Sequence, residues 1–138
     1  MQVNSEYKVG ILGGGQLGKM MALAAANWDL QIWSLDEAVD FPAATVSTTF
    51  VKGNFKDYDD VYQFGKQVDV LTIEIEHVNT DALLQLEKEG VVVHPRPAAL
   101  QIIKDKGLQK QFYVENGLPT SRFELYESGE AIQQAIKD

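Results

Sequence analysis

The stretch Lys8–Met21, KVGILGGGQLGKMM, constrains this chain more than any other. A short apolar run, Val9 to Leu12, leads into Gly13, Gly14 and Gly15, and a helix is predicted to begin at about Leu17. Gly13, Gly15 and Gly18 carry the G-x-G-x-x-G spacing of a nucleotide-type βα turn. In such a turn the first glycine permits the tight bend. The second lets backbone approach a ligand, and the third lets helix pack close to strand. Peptide N–H groups at the helix start, with the positive end of its dipole, favour an anion or another acceptor-rich group. The motif marks where something binds and leaves open what binds; a tight corner without a ligand is the bland alternative.

The rest of the chain supplies matching units. Leu30 to Leu35, Ser47 to Val51, Val68 to Ile75 and Val91 to Val93 read as further strands. Asp57 to Gln67 and Thr80 to Glu89 read as helices, with Thr80 as N-cap and Gly90 as the stop. Glu37 to Thr45, with Pro42, reads as irregular. Apolar strands without clean alternation suit a parallel sheet buried on both faces. The fold class expected is α/β, a doubly wound, mostly parallel Rossmann-like sheet. Ligands of such sheets sit outside the carboxyl ends of the strands. After His94 the character changes, with Pro95 and Pro97 marking a boundary. Ala98 to Asn116 reads as helix with a break near Gly107, Arg122 to Tyr126 as a strand, and Gly129 to Asp138 as another helix. This last strand–helix unit is too small to bury a core of its own.

Composition narrows the functions. With 12 basic and 20 acidic residues in 138, the net charge is −8. No basic excess exists to neutralise nucleic-acid phosphates or an anionic membrane. Cysteine is absent, which excludes disulfides and thiolate metal sites. No apolar run reaches the ~18 residues that span a bilayer, and MQVNSEYK has neither the basic start nor the apolar core of a signal peptide. Cytoplasm is the default location.

Three constellations could carry chemistry. The glycine turn is one, and Asp36, at the end of the second strand, lies where a dinucleotide fold keeps its ribose-binding acid. Turn and acid together fit an NAD(P) module of an oxidoreductase. Asp36 bracing the following loop is an equal alternative. Glu74, Glu76 and His77 at the end of the fourth strand are the second. Alternation on a strand would put both acids on one face, where a bound amine, hydroxyl or cation would satisfy them; solvated strand-end acids are the bland reading. Two like charges so close would raise one pKa. The third is Lys104 to Lys110, in which one lysine could reach a ligand phosphate while Lys104 and Lys110 read as a solvated helix face. Met20, Met21, Trp28 and Trp33 read as packing residues. His77 and His94 have no paired spacing for zinc.

In order along the chain, GILGGGQLGKM, LDEAVDFPAA, EIEHV, HPRPAALQIIKDKGLQKQF and NGLPT form a specific set. The set resembles the amino-terminal portion of the N5-carboxyaminoimidazole ribonucleotide synthetases, purine-biosynthesis enzymes of the ATP-grasp superfamily, over roughly Lys8 to Tyr126. The resemblance implies a carboxylation of 5-aminoimidazole ribonucleotide with bicarbonate, driven by ATP through carboxyphosphate, with magnesium on the phosphates. It implies that Gly14, Gly15, Gln16 and Leu17 hold the ribonucleotide in place of a dinucleotide. Glu74, Glu76 and His77 match the family's substrate-side motif, and Lys106 its position for an ATP phosphate. It also implies a preATP-grasp substrate-binding domain over 1–97, a helical linker over 98–118 and the incomplete start of an ATP-grasp domain over 119–138. On that reading the catalytic and magnesium-binding residues follow Asp138, the stretch alone is inactive, and the full-length enzyme is a homodimer. A non-catalytic nucleotide-sensing domain is the third reading.

Overall fold

The computed structural model describes residues 4–136. Residues up to Gln101 form one compact unit and those from Ile102 a second. The first contains β1 (Lys8–Leu12), α1 (Gln16–Ala26), β2 (Gln31–Asp36), a 3-10 turn (Pro42–Thr45), β3 (Thr49–Lys52), α2 (Tyr58–Gly65), β4 (Val70–Ile73), α3 (Thr80–Lys88) and β5 (Val92–His94). Helix α4 (Pro97–Lys104) runs across the boundary, and α5 (Lys106–Glu115) and α6 (Gly129–Ala135) belong to the second unit.

The five strands are all parallel, in the order β3-β2-β1-β4-β5. Alternation along β1 explains why the sheet has two cores. Leu12 faces one side with Leu35, Leu71 and Val93, packed against Val61 and Phe64 of α2 and Ala82, Leu83 and Leu86 of α3. Ile11 faces the other with Ile32 and Ala22 of α1. Burying a side chain of this size contributes about 1.5–3 kcal/mol. Two-sided burial is what the apolar, non-alternating strands called for.

Several local expectations shift. Asn79, in place of Thr80, caps α3 by accepting the Ala82 N–H at 2.9 Å. The helix break falls at Asp105, not Gly107, because the Asp105 side chain accepts the Leu108 N–H and starts α5. The Glu37–Thr45 loop ends in the 3-10 turn, with Pro42 in its first residues. Arg122 to Tyr126 forms no strand: no described neighbour pairs with its backbone, and Lys110 Nζ instead holds Thr120 Oγ1 at 2.7 Å and Ser121 Oγ at 2.6 Å. That lysine is therefore half-buried and bonded, unlike the solvated residue read from the sequence. Among the described residues, no helix is long and apolar enough to cross a membrane.

Candidate functional site

Strand order fixes where a site can lie. The order in which strands are added reverses between β1 and β4, from β1-β2-β3 on one side to β4-β5 on the other, and the crevice of an open α/β sheet forms above that point. Register then decides which residues meet there. Leu12 pairs with Leu35 on one side and Ile73 on the other. The next residues, Gly13, Asp36 and Glu74, consequently emerge at one level. Two further bonds hold them: Gly13 N–H donates to Leu35 O at 3.0 Å and Glu74 N–H to Leu12 O at 2.9 Å.

The turn is built tightly. Gly13 has φ 116°, outside the range of ordinary side chains. A Cβ there would lie 2.6 Å from Glu74 Oε2, so the carboxylate rests against bare backbone. A Cβ on Gly18 would lie 2.5 Å from Gly13 O, which is why α1 can sit so close to the turn. Gly14 is clamped at both ends of its backbone. Its N–H donates to Asp36 Oδ2 at 2.6 Å, and its carbonyl accepts the Ala43 N–H at 2.9 Å. Gly15 differs: a Cβ on it would meet nothing within 4 Å.

Helices α2, α3, α5 and α6 each start with a side chain bonded to a backbone N–H, whereas α1 starts on Gly15 with none. As the first three helical residues, Gln16, Leu17 and Gly18 have N–H groups with no acceptor inside the helix. Gln16 and Leu17 are exposed. The arrangement offers peptide donors to an acceptor-rich ligand beside an acid.

Asp36 is 5% exposed, and both its oxygens are occupied: Oδ1 accepts the Glu37 N–H at 2.7 Å. Of the two roles open from sequence, the structure selects the brace. A carboxylate 5% exposed behind two peptide partners presents little surface to a ribose.

Glu74 is half-buried in the first bend after β4, which ends at Ile73. Burial pushes its pKa above the ordinary carboxylate range, and the nearby charges of Asp36 and Glu76 add to the shift. Glu76 and His77 lie in the same bend and are exposed. The acids are therefore not strand neighbours on one face, as alternation suggested, because the chain has already left the sheet. Lys106 opens α5 in the second unit, exposed, with its Nζ 3.2 Å from Gln109 Oε1.

Met20 and Met21 also depart from expectation. They are 62% and 37% exposed and, with Leu17, Ala24, Ile73 and Glu74, line an open groove of about 490 Å³ along α1. Trp28 is exposed as well, while Trp33 packs against the core. The supporting roles of Ala43 and Phe50, whose ring lies where a Gly14 Cβ would be, escape sequence reading. Ala43 leaves a trace in the FPAA segment of the longer motif, and Phe50 shows only as part of the strand-like STTFV run.

Comparison with known proteins agrees with this fold. The model of the ribonucleotide synthetase preATP-grasp domain matches residues 7–104. A chloroplastic phosphoribosylaminoimidazole carboxylase from Vigna aconitifolia is 41% identical over 118 residues, 86% of this chain and 21% of that protein. The crystal structure of N5-carboxyaminoimidazole ribonucleotide synthetase from Thermotoga maritima superposes with a TM-score of 0.87 at 36% identity, covering 94% of this chain and 36% of that one. The Aspergillus clavatus N5-carboxyaminoimidazole synthase, solved in complex with ADP and 5-aminoimidazole ribonucleotide, gives a TM-score of 0.84 at 36% identity, covering 95% and 35%. The chain thus spans about a fifth of that curated relative and about a third of those solved chains. With a parallel sheet wound on both faces, a braced glycine turn and a family match over residues 7–104, this chain belongs to the ribonucleotide synthetase preATP-grasp domain family.

Proposed function

We propose that the crevice between the glycine turn and Glu74 is the ribonucleotide site of an ATP-dependent ligase that carboxylates 5-aminoimidazole ribonucleotide in purine biosynthesis. The observation that carries this reading is the commitment of Asp36. A dinucleotide site spends the acid at the end of β2 on a ribose hydroxyl. Here that acid is buried and bonded to Gly14 and Glu37. The acid open to the crevice is Glu74, two strands over beyond β1, beside N–H groups that suit a sugar phosphate. The Aspergillus clavatus relative, which holds ADP and 5-aminoimidazole ribonucleotide, supports the same assignment.

On this reading the peptide N–H groups of Gly15, Gln16 and Leu17 bind acceptor oxygens of the ribonucleotide, assisted by the Gln16 amide, which both donates and accepts. Gly14 supports them from within the turn. Glu74 accepts a hydrogen bond from a ribose hydroxyl or from the exocyclic amine, and Glu76 and His77 border it on the solvent side. Lys106 supplies a point charge for an ATP phosphate. The reaction is a two-step transfer. A bicarbonate oxygen attacks the γ-phosphorus of ATP, releasing ADP and forming carboxyphosphate. The amine nitrogen then attacks the carboxyl carbon, phosphate leaves, and the amine loses a proton. Bicarbonate, magnesium and a homodimeric enzyme belong to this proposal. Among the described residues no cluster of three His, Asp or Glu could hold a metal ion.

Calorimetric titration with 5-aminoimidazole ribonucleotide and with NADH tests the assignment. Saturable binding of the ribonucleotide without a response to NADH is the expected result. Tight NADH binding with no ribonucleotide response would replace it with the oxidoreductase reading.

A further inference from the structure

We infer that Asp36 is a positioning residue of the ribonucleotide site: by holding the Gly14 and Glu37 peptide groups it fixes the glycine turn against Glu74. The inference rests on the ribonucleotide reading for the identity of the ligand, and on geometry alone for the positioning.

An ionised carboxylate nine-tenths removed from water is costly unless donors surround it. Asp36 finds two, at 2.6 and 2.7 Å, distances in the range of strong charge-assisted bonds. These bonds tie the glycine turn to the exit of β2 through one side chain. Gly14 N–H is fixed on Oδ2, and Glu37 N–H, at the exit of β2, on Oδ1. From Gly14 the restraint passes both ways along the chain. Upstream lies Gly13, in its positive-φ conformation, with Glu74 Oε2 against it. Downstream lie Gly15 and the open N–H groups of α1. The Phe50 ring and the Ala43 N–H close the remaining sides of Gly14. No ligand atom is needed to satisfy Asp36, so the turn is organised before substrate arrives. Such preorganisation raises affinity by removing the cost of ordering.

Asp36→Asn separates positioning from bulk. An asparagine keeps the shape but offers one carbonyl oxygen, and its NH2 group opposes one of the two peptide donors. It also removes one of the like charges, those of Asp36 and Glu76, that act on Glu74. Leu86→Ala is the control, because Leu86 is fully buried against Gly65 of α2, away from the turn. Each variant is examined by amide NMR, hydrogen exchange, thermal unfolding and titration with 5-aminoimidazole ribonucleotide. In the wild type, the Gly14 and Glu37 amides should exchange slowly in the absence of ligand. In D36N, exchange at Gly14 to Leu17 should rise at least tenfold, the Glu74 titration midpoint should fall, and ribonucleotide affinity should drop at least tenfold. L86A should lower the melting temperature while leaving all three unchanged. Wild-type Gly14 and Glu37 amides that exchange as fast as exposed loop amides would overturn the inference. So would D36N exchange equal to wild type, or L86A losing as much affinity as D36N. If the wild type binds no ribonucleotide, the functional reading fails by itself, and the positioning claim stands or falls on the amide and exchange data.

Discussion

Gly13→Ala is the substitution that loads the turn most directly. At φ 116° an alanine is strained, which costs about 1–3 kcal/mol. Its Cβ would also lie 2.6 Å from Glu74 Oε2 and 3.1 Å from Glu74 Cβ. The carboxylate end can swing away, but the Cβ moves only with the backbone, so an overpacking cost near the lower end of about 1–3 kcal/mol follows. The stiffer unfolded chain returns about 0.4–1 kcal/mol. The net loss is about 2 kcal/mol, which at about 4 °C per kcal/mol lowers the melting temperature by about 8 °C. Calorimetry or circular dichroism on the purified chain would measure it. A double variant sharpens the test. Adding Glu74→Gly removes both contacts and leaves the Gly13 strain, so the pair should be more stable than the sum of the singles by about 1 kcal/mol. A Gly13→Ala protein within about 0.5 kcal/mol of wild type would show that the turn lacks this conformation, since surface changes without strain fall in that range.

Gly15→Ala should behave in the opposite way: with no neighbour to meet, its folding stability should change by less than about 0.5 kcal/mol, yet ribonucleotide affinity should fall about tenfold because the Cβ fills the ligand's approach. Glu74→Gln should raise the melting temperature of the free chain at neutral pH while weakening the ribonucleotide. The sign follows from a carboxyl whose folded pKa is raised: its stabilising share is present below the unfolded value and lost as pH rises through the folded one. At the far end of the sheet, Glu89 is held at about 2 by bonds from Gln85, Lys66 and Tyr62. A depressed acid contributes above its unfolded pKa and loses that share as pH falls from about 4.5 to about 2. Glu89→Gln should therefore flatten the acid limb of the melting-temperature profile over that window, and an unchanged profile would remove Glu89 from the acid transition.

The glycine spacing and the apolar runs made the sheet and its crevice legible, because both are local and periodic. Glu74 was visible as an acid closing an apolar strand. Its relation to Gly13 was not, since that depends on the parallel register of Leu12 with Ile73. Asp36 shows the same limit more sharply. Its position at the end of β2 suits a ribose contact and a brace equally, and only the bonds to Gly14 and Glu37 separate the two. Arg122 to Tyr126 looked like a strand because strand propensity is local, whereas a strand exists only with a neighbour to pair with. Met20 and Met21 were read as packed residues because hydrophobicity favours burial. The groove they line against Ile73 and Glu74 is a tertiary feature that no helical period reports.

The most direct test of the crevice is an amide NMR titration of the isotope-labelled chain with 5-aminoimidazole ribonucleotide. Saturable shifts at Gly15, Gln16 and Leu17, together with a change at Glu74, are the expected result. Shifts confined to other surfaces, with these four residues silent at saturation, would contradict a ribonucleotide site between the glycine turn and the end of β4.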